Sequence, residues 1–519
     1  MEYRSADGSG NTLADISVNA TNTAFLRTAP PRYADDARGL VDGPNPRAIS
    51  NAVVGEGDAE APNPQGLSGM MYAWGQFIDH DINLTADSRN RDEPIGVPVP
   101  DDDPLFAPGT VIPMTRAQVD ASGEPVNAVT GWLDASMVYG STAETAAKLR
   151  QADGTMRTSA GGNLPVAGID PTGEDASNTG GLRGHLAGDG RADENPSLTA
   201  LHTLFVREHN HQVERLREAD SRLSGDALYE QARAVVAAEI AHITYTEFLP
   251  HLLGDMMFPA YRGYDAGVDP GMSVEFAGAA YRWGHSTVSP RTEKLTEAGE
   301  PVGESSLAEA FFQSPEAFAA DGGADGLLRH LASDLSQAMD ARIVPDLRNL
   351  LFDPPVGLDL AAINIQRGRD LGLPLLNDMR THLGLDPHGD FEDITPDAAT
   401  VAALRATYGS VDRVDLWTGG LAEEVETGFI GGTFGLIVAD QFARLRDGDR
   451  LWYENQGFDD ATLAAIRDTS LSDLILRDTD TQALQDDVFT FHERRLADAE
   501  PEEPDFPQLV IQPDALGTV

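Results

Sequence analysis

From Leu198 onward, apolar residues recur at three- and four-residue spacing, the period of a helix with one buried face. That pattern predicts long helices over Leu198 to Ala219 and Ala227 to Leu253, the second without proline until Pro250. Further helices are expected at Gly326 to Met339, Ala398 to Tyr408, Phe434 to Leu445 and Asp460 to Asp468. Alternating, strand-like runs are few, and no internal repeat is found. Residues 1–65 are rich in Gly, Asn, Pro and Asp and read as an extended arm packed on a larger body. Pro98 to Pro113 and Ala160 to Asp189 read as loops; the second lacks Gly-Lys-Ser/Thr, so a phosphate-binding loop is not supported. The carboxyl end is acidic and Pro-containing, and residues 501–519 read as a tail or linker. The expected fold is mainly α: one large helical domain over 66–500, with long loops and little β-structure.

One earlier helix carries a different signal. In Met70 to Thr85, Met71, Trp74, Ile78 and Ile82 mark a buried face, while Gln76, Asp79, His80 and Asn83 share another at helical spacing. Burying two amides, an acid and an imidazole is costly unless they find partners. A histidine beside an aspartate is more often a satisfied core pair than a catalyst. That plain reading weakens because other segments supply complementary groups.

Composition narrows the field. The net charge is −47, so nucleic acid and anionic membrane are poor partners. Only Lys148 and Lys294 are lysines, a pattern that fits either a salty habitat or a GC-rich genome. No run approaches the roughly 20 apolar residues of a membrane span, and the first ten residues lack a signal-peptide core. With no cysteine, thiolate metal sites, iron–sulfur clusters and cysteine-ligated haem are excluded.

Histidine and carboxylate remain as metal-binding side chains. Around Val129 to Ser136, Thr130, the Trp132 carbonyl, Asp134 and Ser136 offer oxygens at alternate positions, and Asp81 could join them around a hard cation such as calcium. An ordinary polar turn is the competing explanation. Ala187 to Pro196 places Arg191 and Glu194 just before a long helix, where a loop of exposed charges is the plain alternative. Tyr281-Arg282-Trp283-Gly284-His285-Ser286 offers an imidazole suited to haem iron, and Asn364 to Asp370 offers an amide for its other nitrogen and an arginine for a propionate.

Together these segments resemble the animal-type haem peroxidases of the peroxidase–cyclooxygenase superfamily. The resemblance runs from Arg4-Ser5-Ala6-Asp7-Gly8 through Arg47-Ala48-Ile49-Ser50-Asn51 and Asp415-Leu416-Trp417-Thr418-Gly419-Gly420 to Gln441 to Arg450, covering nearly the whole chain. It implies haem b as cofactor, hydrogen peroxide as oxidant, and halides, thiocyanate or small aromatic donors as reductants. His80 then matches the distal base, Arg191 the distal arginine and Gln76 its neighbour in the halide pocket. Asp79 and Glu194 match the acids that form ester bonds to haem, and His285 the iron ligand with Asn364 as its hydrogen-bond partner. Arg282 and Arg367 match propionate partners; Asp81, Thr130, Trp132, Asp134 and Ser136 match the family's calcium site. Secretion is implied by the same family habit. One departure is Asn195, which stands where myeloperoxidase carries a methionine bonded to a haem vinyl group. Its presence points away from chloride and toward bromide, iodide, thiocyanate or small aromatic donors.

Three other readings compete. A fatty-acid dioxygenase of the same superfamily uses a tyrosine near the iron-ligating histidine, but Tyr281 lies four residues before His285 rather than three. A catalytically silent adhesion module would not need His80, Arg191 and His285 together. A di-iron bundle could use Glu239 and His242, but it requires two such Glu-x-x-His pairs, and no convincing second one is found. His202, His209 and His211 do not share one face closely enough to ligate a metal and read as structural.

Overall fold

The computed structural model describes residues 2–35, 38–55, 61–88, 93–167, 184–311, 313–320, 322–349 and 358–493. The expected tail, 501–519, and most of the loop 160–189 lie outside them. Helices dominate, and they meet in one large apolar core running from Phe25 to Phe489. The fold is mainly α, with only two-stranded antiparallel ribbons.

At the centre lies the helix Met70–Ile82. Met71, Trp74, Phe77, Ile78 and Ile82 are all fully buried on it. Phe77 stacks on Phe205 of the helix Pro196–Ala219 at 5.2 Å between ring centroids. Gly75 lets the helix approach the segment that carries His285: a Cβ there would sit 3.0 Å from Trp283 Cζ2. Beyond its last turn, Asn127 ties the chain down, donating to the Ile82 carbonyl (2.9 Å) and accepting from the Leu84 amide (2.8 Å).

Pro196–Ala219 starts where local chemistry dictates. Asn195 accepts from the Leu198 amide at 2.9 Å, and Pro196 occupies the first turn, where its missing N–H costs nothing. The predicted Ala227–Leu253 helix is found as Gly225–Ile243 continuing through a wider π-turn, Thr244–Phe248, into Leu249–Leu253. Thr244 and Thr246 bond back to the carbonyls of Ile240 and His242, and Pro250 lacks an N–H for the regular ladder, so the turn widens there.

Two expectations are corrected by the structure. The helix expected over Gly326 to Met339 is Gly323–Ser333, because the chain beyond it pairs with the arm instead. Leu335 bridges Ser68, Gln337 bridges Pro62, and the Asn63 amide donates to the Ser336 carbonyl at 2.8 Å. The Pro98–Pro113 loop is closed by a ribbon of Val97–Pro98 with Val111–Ile112. A hairpin, Arg291–Leu295 with Pro301–Ser306, was not visible as alternation because most of its residues face solvent or are half-buried.

The N-terminal residues lie along the body. Arg4 pairs with Asp449, Glu2 with Arg450, and the Trp132 indole donates to the Gly8 carbonyl. Arg47 is fully buried between Asp103 (2.7 Å) and Asp359 (2.8 Å), and Asp359 also caps the helix Leu360–Asp370.

Candidate active site

Gln76, Asp79, His80, Arg191, Glu194, Asn195, Arg282, His285 and Asn364 all line one cavity of about 270 Å³. They come from four separate parts of the chain. Tyr281 and apolar residues including Val288, Leu307 and Phe311 complete its walls.

His80 points into this cavity from Met70–Ile82. Burial and the nearby Arg191 charge hold its imidazole well below the usual histidine range, so it stands neutral and able to accept a proton. Its Nδ1 is buried without a hydrogen-bond partner among the described residues, and its Nε2 lies 4.0 Å from Glu194 Oε2. Arg191 is locked by Asp189, whose carboxylate takes Nε and Nη2 at 2.8 Å each. Nη2 also donates to the Asn83 carbonyl at 3.2 Å, at the negative end of the helix that bears His80. Burial alone would push Asp189 up, but Arg191 holds it well below the carboxylate range. Asp189 was not singled out from the sequence; the signal available was an acid two residues before the candidate arginine.

The two other acids differ from Asp189. Asp79 lies 3.8 Å from Arg191 and accepts from the Asn83 amide at 2.5 Å, yet burial raises it. Burial likewise raises Glu194, to about 7, against the opposing pull of Arg191. Asn195 donates to Gln76 Oε1 at 2.9 Å, and the Gln76 amide group donates to Glu194 at 3.1 Å. Asn195 therefore both caps a helix and fixes which way the Gln76 amide faces.

His285 sits on the short helix Gly284–Thr287 and is drawn down to about 4 by burial and by Arg282, so it too is neutral. Its Nδ1 faces the Asn364 amide nitrogen at 2.8 Å, and Nε2 has no partner among the described residues. Asn364 Oδ1 accepts from Arg282 at 2.7 Å. Arg282 also donates to the Ala277 carbonyl, and no carboxylate pairs with it among the described residues. Burial draws its guanidinium down to about 10.

Arg367 departs from expectation. It is not part of the cavity wall, because Asp370 (2.8 Å), Asp87 (2.5 Å) and the Thr115 carbonyl (3.1 Å) claim its guanidinium. The groups expected to hold calcium do converge, behind the His80 helix. Asp81 accepts from the amides of Asp134 and Ala135 at 3.1 Å and from Ser136 Oγ at 3.0 Å. Thr130 Oγ1 donates at 3.0 Å to Asp134 and Ser136. Asp134 Oδ2 is buried without a partner, and Ala135 between them takes a left-handed φ of 62°. Trp132 enters through its position in this loop; its indole is turned to Gly8.

Of the other histidines, His202 is buried within reach of the Asp189 and Arg191 charges, while His209 and His242 sit in hydrogen bonds elsewhere. His209 bonds Tyr139 and the Gly154 carbonyl, and His242 bonds Tyr453. Glu239 is buried beside Arg477, which pairs with Glu208. Glu208 opens a second Glu-x-x-His with His211, but among the described residues no group of three or more His, Asp or Glu side chains converges there to hold a metal.

A family model described as animal haem peroxidase matches residues 3–489. The chain belongs to that family. Peroxinectin A from Dictyostelium discoideum is 34% identical, covering 88% of this chain and 89% of its own. Lactoperoxidase from Mesocricetus auratus is 32% identical over 92% of this chain and 76% of its own. A peroxidasin homolog from Mus musculus is 34% identical over 94% of this chain, but the match spans only 37% of that longer protein. Among solved structures, peroxidase A from Dictyostelium discoideum superposes with a TM-score of 0.85 at 31% identity, covering 94% of this chain and all of that one. A fatty acid alpha-dioxygenase from Oryza sativa shares the fold, with a TM-score of 0.78 at 23% identity, covering 92% and 84%.

Proposed function

We propose that this chain is a haem peroxidase that reduces hydrogen peroxide with electrons from bromide, iodide, thiocyanate or small aromatic donors. The observation that carries this reading is the convergence of two neutral histidines, two arginines and two raised carboxyls on one cavity. The residues present fit haem b. His285 offers an unpartnered Nε2 to iron, and Arg282 is a cation lacking a carboxylate, suited to a propionate. Asp79 and Glu194 would form the ester bonds to haem, a role supported by their position in the cavity wall. When bound, haem supplies the redox-active iron on which peroxide is reduced.

The chain's own groups do the rest. His285 would hold the iron through Nε2, with the Asn364 side-chain amide as hydrogen-bond partner of Nδ1, and Arg282 would pair with a propionate. His80 accepts a proton from peroxide and returns it to the departing oxygen. Arg191, fixed by Asp189, places positive charge where negative charge develops as the O–O bond breaks. Gln76, oriented by Asn195, presents its amide to the same space. Asn195 in place of methionine favours bromide, iodide or thiocyanate over chloride.

Two predictions follow from the cofactor assignments. In the haem-loaded protein after peroxide treatment, acidified organic solvent leaves haem attached to wild type and extracts it fully from the Asp79→Asn, Glu194→Gln double variant. Equal extraction from both would reject the ester roles. The Asp81, Thr130, Trp132, Asp134 and Ser136 cluster is assigned to calcium, because burial raises both acids and the Asp134 charge further raises Asp81, a cost that a shared cation would relieve. Calcium at about 100 times its Kd would stabilise the protein by about 2.7 kcal/mol. A chelator therefore lowers the Tm of wild type and leaves that of Asp81→Asn unchanged; a Tm indifferent to chelation in both would remove calcium from the cluster.

The family resemblance also supports secretion. A fatty-acid dioxygenase is the second reading, favoured by the buried, unpartnered Tyr281 hydroxyl in the cavity wall. Oxygen uptake on adding a long-chain fatty acid, abolished by Tyr281→Phe, would favour it.

A further inference from the structure

A file of aromatic rings leads away from the cavity to the surface. Tyr281 lines the cavity, stacks on Phe276 at 4.5 Å between centroids and meets Phe442 at 5.6 Å. Phe442 meets Tyr245 edge-on at 5.9 Å, and Tyr245 meets Trp452 at 4.8 Å. Trp452 lies 5.9 Å from Tyr261. Tyr261 is half-buried at the protein surface, and its hydroxyl accepts from the Asn455 amide. Arg446 lies over its ring at 5.6 Å and holds it in place.

Packing accounts for the phenylalanines of this file. It accounts less well for the oxidisable rings. The Trp452 indole N–H is buried without a partner among the described residues, a penalty that phenylalanine would avoid. What Trp452 and Tyr261 add is the capacity to yield or pass an electron.

We propose that this file carries single electrons from Tyr261 inward to the peroxide-oxidised centre of the cavity, so that the protein oxidises phenol side chains on polypeptides too large to enter. The proposal rests on the peroxidase reading above. One peroxide takes up two electrons and two protons and leaves as two waters. Each electron comes from one donor phenol, which becomes a phenoxyl radical. Tyr261 is the exchange point: it sends an electron inward and its proton to bulk water, then regains an electron and a proton from the donor, so one proton reaches solvent for each phenol oxidised. Trp452 passes the hole as an indole radical cation, which needs no proton acceptor and suits its unpartnered N–H. Tyr245 donates its hydroxyl to the Phe442 carbonyl at 2.6 Å, and Tyr281 has no base beside it. Neither can shed its proton, so both act as tunnelling bridges and not as radical sites. Two phenoxyls released at the surface then couple to each other.

The test uses the full chain loaded with haem, hydrogen peroxide, and a lysine–tyrosine copolymer as donor, chosen because the chain carries a net charge of −47. Without donor, a nitroso spin trap followed by mass spectrometry is expected to mark Tyr261 in wild type and to lose that mark in Trp452→Phe. Dityrosine fluorescence of the copolymer, in halide-free buffer, is lost in Tyr261→Phe, while iodide oxidation by the same variant is retained. Tyr261→Phe keeps the ring at a half-buried position and so keeps the fold. Copolymer oxidation unchanged in Tyr261→Phe, or spin-trap adducts confined to other residues, would overturn the route. If wild type fails to oxidise iodide as well, the peroxidase reading itself falls and the route with it.

Discussion

Replacing His80 with glutamine is expected to slow the reaction of haem-loaded protein with hydrogen peroxide by about 10²–10⁴-fold, the contribution of a positioned general base. The reason is specific to the imidazole. Burial and Arg191 keep it neutral, so it is a competent base across the physiological range. Glutamine keeps the volume and a hydrogen-bonding end but cannot take up a proton. The helix around position 80 is held by fully buried Trp74, Phe77 and Ile78, so the cavity survives the change. Stopped-flow recording of the Soret band after peroxide addition measures the step. A rate within a few-fold of wild type would remove His80 from the proton transfer.

The second large effect is expected at the arginine and its anchor. Arg191→Leu removes the charge that stabilises the breaking O–O bond and is expected to cost about 10²–10³-fold in the same step, the usual worth of one such donor. Asp189→Asn separates two roles. It leaves the arginine charge in place but removes the bidentate grip at 2.8 Å, so the rate loss is smaller than in Arg191→Leu. Both variants lose stability. Breaking a buried pair by removing one partner costs about 3–5 kcal/mol, and the figure here falls toward the lower end because Arg191 is 20% exposed. Tm and peroxide rate measured on both variants test this separation of charge from positioning. An Asp189→Asn variant with wild-type stability would show that the pair does not hold the loop.

How much of this was legible in the sequence depended on distance along the chain. Gln76, Asp79 and His80 declared themselves because one helix sets their spacing, and helical period is a local property. The oxygens of Thr130, Asp134 and Ser136 were legible for the same reason, although only the fold brings Asp81 to them. Arg367 shows where local reasoning fails. It lies one turn after Asn364 on Leu360–Asp370, yet Asp87, from a loop 280 residues earlier, and Asp370 draw its charge away from the cavity. Nothing near Arg367 in sequence announces that competition. The bond between Arg282 and Asn364, 82 residues apart, was equally out of reach. At Ser333 the apolar period continues toward Met339, but pairing with residues 62–68 of the arm ends the helix sooner. Tertiary partners decided each of these, and a single sequence does not list its partners.

The proposed function puts haem binding by His285 and peroxide activation by His80 and Arg191 in one cavity. The most direct measurement follows the Soret band of haem-loaded protein through a slight excess of peroxide and then bromide. A fast spectral change on peroxide, reversed in one step by bromide, is the result this account predicts. A haem-loaded protein without a Soret band, or one whose band peroxide leaves unchanged, would contradict it.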